Sequence, residues 1–203
     1  MDGLRLETFT GADRQRWLPA LGALRISVFR AWPYLYDGSL AFEEGYQAEF
    51  RAARDAALVV AFDGEAAVGC STCMPLMEEE AALSAPFRAA GIDPARVCYF
   101  GESVLLPAYR GRGVGVGFFM AREAHARSVA GVDFAAFSAV VRPEVHPLRP
   151  AGSVPLDAFW RRRGFTPYPS LVARLSWKQV DSDGAVENRL SFWLKSLTGA
   201  ALP

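Results

Sequence analysis

The chain has 203 residues and a formal net charge of zero, with 22 basic side chains against 22 acidic ones. That length suits one domain, and an apolar share of 51% supplies a sizeable core, which excludes a disordered chain. Balanced charge argues against a dedicated nucleic-acid binder, because neutralising phosphates needs a basic face.

Cys70, Cys73 and Cys98 are a small, odd set that fits a reducing cytoplasm better than a disulfide scaffold. Met1 to Glu7 lacks a basic head followed by an apolar run, so no signal peptide is read there. The longest apolar run, Ala56 to Phe62, is too short to cross a bilayer. The expectation is one cytoplasmic domain over residues 1–203 with no membrane partner.

Leu4 to Phe9 alternates apolar and polar residues and reads as a half-buried strand. Gly11-Ala12-Asp13 opens a helical region whose continuous helix starts near Leu18, ahead of Pro19, with Leu21, Leu24 and Val28 on one face. Trp32 to Gly38 is an aromatic loop. Ser39 caps a second helix carrying Phe42, Tyr46 and Phe50 at helical spacing. Ala57–Phe62 and Ala66–Met74 form a hairpin around Asp63-Gly64. A short helix within 77–90 ends at Gly91 and Pro94.

Val97 to Leu106 is the clearest strand and Gly113 to Val129 the clearest helix, with Val114, Phe118, Ala121 and Ala124 inward and Arg122, Glu123 and Arg127 outward. Phe134 to Val141 is a further strand, followed by a proline-rich loop to Pro155 and a short helix from Leu156 to Arg163. Leu171–Trp177 and Leu190–Leu197 read as closing strands, the second equally compatible with a helix. This order implies an α/β (α+β) domain: a mixed sheet with helices on both faces.

Between the strand ending at Leu106 and the long helix stands Arg110-Gly111-Arg112-Gly113-Val114-Gly115. Free N–H groups and the helix dipole make such a turn an anion site, and glycines at 111, 113, 115 and 117 remove the Cβ atoms that would keep a diphosphate off the backbone. Val116 stands where a dinucleotide fingerprint needs its third glycine, and no Gly-Lys-Ser/Thr follows as in a P-loop. The segment resembles the acetyl-CoA motif Arg/Gln-x-x-Gly-x-Gly/Ala of the GNAT N-acetyltransferases, met by Arg110, Gly113 and Gly115. Ala158 to Phe165 resembles that family's late helix ending in Gly-Phe.

The resemblance implies a GNAT fold, a mostly antiparallel, twisted and splayed sheet, with acetyl-CoA as co-substrate bound by a core of about 97–165 between two parting parallel strands. It assigns pantetheine contacts to the backbone of Val104, Leu105 and Leu106, and the pyrophosphate to Arg110, Gly111, Arg112, Gly113, Val114 and Gly115. It also implies an acceptor pocket lined by the Trp32–Tyr36 loop, hence Tyr34 and Tyr36, and leaves open a homodimer through the late strands.

The implied activity is direct transfer of an acetyl group to a primary amine of a small molecule. Glu102, a carboxylate in an otherwise apolar strand, is the candidate base; a structural carboxylate bonded to an arginine is the alternative. The family's tyrosine acid, four residues before Gly164, is replaced by Trp160, which cannot serve as an acid; Tyr168 is a substitute candidate. Arg142, His146 and Arg149 in the proline-rich loop are candidates for holding an acidic substrate group, with His146 a second candidate base; a solvated surface loop is the alternative.

Cys70 and Cys73 lack a second ligand pair nearby and point to opposite strand faces, so no metal site is expected. His125 reads as a hydrogen-bonded core histidine, and Glu78-Glu79-Glu80 as a solvated acidic face. A non-catalytic acyl-CoA sensor and a protein or peptide acetyltransferase are the alternative functions.

Overall fold

The computed structural model describes residues 3–203. Strand β1 (Leu4–Thr10) leads through a 3-10 turn into helix α1 (Leu18–Phe29), and α2 (Leu40–Tyr46) and α3 (Ala48–Ala52) follow the aromatic loop. The hairpin β2 (Ala57–Asp63) and β3 (Ala66–Pro75) precedes α4 (Ala81–Ala89) and β4 (Val97–Leu105). Then come α5 (Val114–Ser128), β5 (Phe134–Val140), α6 (Asp157–Arg161), β6 (Thr166–Lys178) and β7 (Ala185–Ser196). The last element is a strand, which resolves the alternative left open for Leu190–Leu197.

The seven strands form one sheet in the order β1-β2-β3-β4-β5-β7-β6, antiparallel except for the parallel pair β4–β5. Every connection is a hairpin or crosses over through a helix, so both faces are covered. Helix α1 and α3 cover β1–β3 on one face with Leu21, Leu24 and Phe50, and α4 covers the late strands with Leu83 and Phe87. Helix α5 covers the opposite face with Val114, Phe118 and Phe119, joined by Phe165 after α6.

The helix expected to carry Phe42, Tyr46 and Phe50 together is two short helices broken at Gln47. Ser39 does cap the first, its Oγ accepting from the Phe42 N–H at 3.3 Å. The buried stripe of α5 also differs from expectation. Arg122 is 1% exposed while Ala124 faces solvent. Phe118 and Phe119 lie a turn before Arg122, and its guanidinium stacks 4.5 Å from the Phe100 ring and 4.8 Å from that of Phe119. Burial holds its pKa down at about 10.

Two departures from regular pairing shape the site. Strands β4 and β5 pair only from Val97↔Phe134 to Tyr99↔Ala136. Beyond that point β4 stays with β3 and β5 with β7, and the parallel strands part. Within β4, Ser103 lies opposite Ser71 and Phe100 opposite Cys73, so Gly101 and Glu102 together face Thr72 as a bulge. Strict alternation from Phe100 would aim Glu102 at the α5 face. The extra residue re-aims it to the α1 face, where Tyr99 and Val104 also lie.

Candidate active site

Glu102 meets Arg25 of α1 in an ion pair, and the Thr72 hydroxyl donates to its other oxygen at 2.6 Å. Arg25 also donates to Glu43 of α2 at 2.7 Å, and Glu43 accepts from the Tyr36 hydroxyl at 2.7 Å. Burial alone would lower the Arg25 pKa, but Glu102 and Glu43 outweigh it and keep the guanidinium charged. Both oxygens of Glu102 thus have donors before any substrate arrives, as the alternative of an arginine-bound carboxylate anticipates.

Beside this cluster is a cavity of about 260 Å³. Its walls include Glu102, Gly101 and Tyr99 of β4, Ser138 of β5, and Glu79 and Glu80 ahead of α4. Tyr34 and Tyr36 line it, together with Phe29, Phe42, Tyr46 and Trp177. Tyr34 stacks on Phe29 with ring centroids 4.2 Å apart. Burial, aided by the charge of Glu102, pushes the Tyr34 phenol up to about 12, so it lines the cavity as a neutral group.

A second, water-sized cavity of about 20 Å³ adjoins Glu102, Thr72, Gly101 and Glu79. Glu79 therefore reaches both spaces, against the expectation of a solvated acidic run. Burial and the neighbouring Glu102 push its carboxyl up to about 7. A carboxylate in the turn between a strand and a helix gives no periodic signal, so sequence reading missed it.

The loop opening α5 has the geometry of an anion cradle. Gly111 and Gly113 have φ of 76° and 83°, in the left-handed region that favours glycine. Gly113 is the residue before the helix, and the first intrahelical partners of its carbonyl are the amides of Val116 and Gly117, at 3.0 and 3.1 Å. The amides of Val114 and Gly115 precede those bonds. Nothing lies within 4 Å of a Cβ built on Gly111, and Arg110 and Arg112 are exposed on either side. Gly117 has a different purpose: a Cβ there would lie 2.3 Å from Leu6 Cδ1, so it admits β1 to the helix rather than a phosphate.

The free edge of β4 differs from the expected one. The Leu106 N–H donates to Val68 O at 3.0 Å, committing it to β3. By the alternation of antiparallel pairs, Val104 also faces β3 with its backbone, whereas Leu105 and Ser103 face the open edge. Of the three expected pantetheine contacts only Leu105 is so placed, and Ser103 joins it.

Other candidates lie outside the cavity. Arg142 donates to Pro33 O at 2.6 Å, Tyr34 O at 2.9 Å and Gln179 at 3.3 Å, so it braces the aromatic loop instead of awaiting a substrate acid. His146 packs on Trp32, accepts from the Leu148 N–H and lies 4.0 Å from Asp181. Arg149 bonds Glu144 O and Ser153 within its own loop. Trp160 packs between Phe137 and Trp193, and Tyr168 donates to Pro203 O at 2.9 Å. His125 is half-buried with Nε2 2.8 Å from Asp55 O. Among the described residues no helix is long and apolar enough to cross a membrane.

No protein-family model matches the chain, and no curated protein matches it. Solved structures do. One titled a putative phosphinothricin N-acetyltransferase superposes with a TM-score of 0.60 at 14% identity, covering 96% of this chain and 99% of that one. Ribosomal-protein-alanine N-acetyltransferase from Brucella melitensis gives 0.59 at 16%, covering 95% and 99%. A putative acetyltransferase from Salmonella typhimurium, solved with its cofactor acetyl-CoA, gives 0.55 at 14%, covering 99% and 98%. The chain has the fold of the GNAT acetyltransferases, as the resemblance implied.

Proposed function

We propose that this chain is an N-acetyltransferase that moves an acetyl group from acetyl-CoA directly to the primary amine of a small molecule. One observation carries the reading. The parting of β4 and β5 joins three features: the open edge of β4, the glycine loop that β4 runs into, and the cavity walled by Glu102 and Ser138. A ligand anchored at the loop and lying along that edge has its far end at the cavity.

The loop residues fit the cofactor. Gly111 to Gly115 would hold a diphosphate through backbone N–H groups with Arg110 and Arg112 adding charge, and Leu105 and Ser103 would bond the pantetheine amides. Acetyl-CoA supplies an acetyl group activated as a thioester. The protein's part is to hold an amine beside it, keep water away and accept a proton, because an ammonium has no lone pair. Glu102, fixed by Arg25 and Thr72, orients the incoming amine.

Similar structures carry titles naming different acceptors, a ribosomal-protein alanine and phosphinothricin among them, so the acceptor is argued from this cavity. At about 260 Å³ it lies below the roughly 300–1,000 Å³ of drug-sized pockets, which favours a small molecule over a peptide. Incubation with acetyl-CoA and a panel of amines, following free thiol and product mass, tests the reading. Release of one thiol per acetylated amine supports it. Binding of acetyl-CoA without turnover of any amine would replace it with a sensor.

A further inference from the structure

Resting on that reading, we propose that the acceptor is a cationic amine carrying no anionic group, whose hydrocarbon body lies against the aromatic wall. Three carboxylates, Glu79, Glu80 and Glu102, face the cavity. Arg25 is the one cation among its described lining residues, and Glu43 and Glu102 already engage it. Arg142, the cation expected to receive a substrate acid, spends its donors on Pro33, Tyr34 and Gln179. A substrate carboxylate would be desolvated among like charges with no free donor of opposite sign.

The rest of the wall is aromatic. Phe29, Tyr34, Tyr46, Tyr99 and Trp177 line it, a surface that suits an apolar body bearing an ammonium. The volume of about 260 Å³ exceeds the ~150 Å³ of an apolar cavity that admits benzene, so one ring with a short amine arm fits.

Matched pairs test this: phenethylamine against phenylalanine, and tyramine against tyrosine. Binding is read by thermal shift and calorimetry, and turnover by thiol release. The amines should be favoured by about a hundredfold or more. Leu175→Arg, which adds a cation on the side of β6 that faces the cavity with Trp177, should shrink that preference. Amino acids used or bound as well as the amines, or amines that neither bind nor react, overturn the inference. Amines that bind selectively but are never acetylated leave it standing and overturn the acetyltransferase reading.

A separate observation, the water-sized cavity shared by Glu79 and Glu102, carries a second inference: Glu79 is the group that takes the proton from the bound ammonium, through a water in that cavity. An ammonium N–H bond breaks, its electron pair stays on nitrogen, and the proton ends on a Glu79 oxygen. Glu102 is committed to Arg25 and Thr72, whereas Glu79 accepts one bond, from the Glu80 N–H at 3.1 Å. The charges around Glu79 are Glu102 of β4, Glu80 beside it and Glu49 of α3, with the Tyr46 and Tyr99 phenols nearby. All three charges are negative, and with burial they favour the protonated form, placing the transition near neutrality where a general base works best.

Carbon-13 NMR of the Glu79 carboxyl and pH profiles of Glu79→Gln and Glu102→Gln test it. The carboxyl should titrate near 7. Glu79→Gln should lose about a hundredfold in kcat/KM at neutrality, with the deficit shrinking towards pH ~10 as the free amine deprotonates. Titration in the ordinary carboxylate range overturns the inference, as does a Glu79→Gln loss that is absent or equal at every pH.

Discussion

Arg25 and Glu102 come from elements 77 positions apart in sequence and close an ion pair at the wall of the aromatic cavity, with side chains 8% and 13% exposed. The pair sits at the middle of a chain of bonds from the Tyr36 hydroxyl through Glu43, Arg25 and Glu102 to Thr72. It joins α1 and α2 to the bulge of β4, so it fixes the carboxylate that faces the cavity.

Removing one partner of a buried pair leaves the other charge unpaired, at a cost of roughly 3–5 kcal/mol. Arg25→Gln should therefore lower Tm by roughly 10 °C, taking about 2–4 °C per kcal/mol for a chain of this size. Arg25→Lys should recover part of that, since one ammonium cannot reproduce the fork that spans Glu43 and Glu102. Thermal melts of the two variants check this.

The cysteines should take no part in the chemistry. Cys70, Cys73 and Cys98 are all buried and free, and burial pushes the Cys70 thiol up to about 12, far from the thiolate that attacks. Incubating the protein with acetyl-CoA alone should leave its mass unchanged. A gain of one acetyl group on a cysteine, or ping-pong kinetics, would contradict direct transfer.

Trp160 packs between Phe137 and Trp193, with ring centroids at 5.0 and 5.1 Å, and is not among the residues lining the aromatic cavity. Trp160→Phe should cost about 1 kcal/mol or more of stability through lost ring contact, yet leave the shape of the pH–rate profile unchanged. A displaced basic limb in that profile would give the indole a role in proton transfer.

Arg142→Ala removes donors from the carbonyls of Pro33 and Tyr34, and with them the brace of the loop that walls the cavity. The expected signature is a rise in KM for the amine that exceeds any fall in kcat, with acetyl-CoA affinity unchanged. An unchanged KM would mean that the loop holds its place without Arg142.

Local signals made the scaffold and the loop legible. The strand, the glycines and the helix at 97–128 are adjacent in sequence, and the positive φ of Gly111 and Gly113 is what those glycines anticipate. The direction of Glu102 was not legible, because it depends on the bulge, which arises only when β3 and β4 pair. Arg122 and Glu79 were hidden for another reason. Composition reads charge as exposure, yet Arg122 is enclosed by Phe100 and Phe119, and Glu79 is half-buried in the cavity wall. The two loop carbonyls that Arg142 holds, of Pro33 and Tyr34, lie over a hundred positions away, beyond any sequence window.

Calorimetric titration of acetyl-CoA into wild type and Gly113→Asp decides whether the loop at the entrance of α5 holds the cofactor. Gly113 has a φ of 83° at the entrance of α5, and an aspartate there places bulk and negative charge where the diphosphate is to sit. A left-handed non-glycine residue costs about 1–2 kcal/mol, so the variant is checked for folding by its own melt. Wild type should bind one acetyl-CoA per chain with a matching rise in Tm, and folded Gly113→Asp should lose both. Folded Gly113→Asp that binds acetyl-CoA as wild type does, or wild type that binds none, would rule out this loop as an acetyl-CoA site.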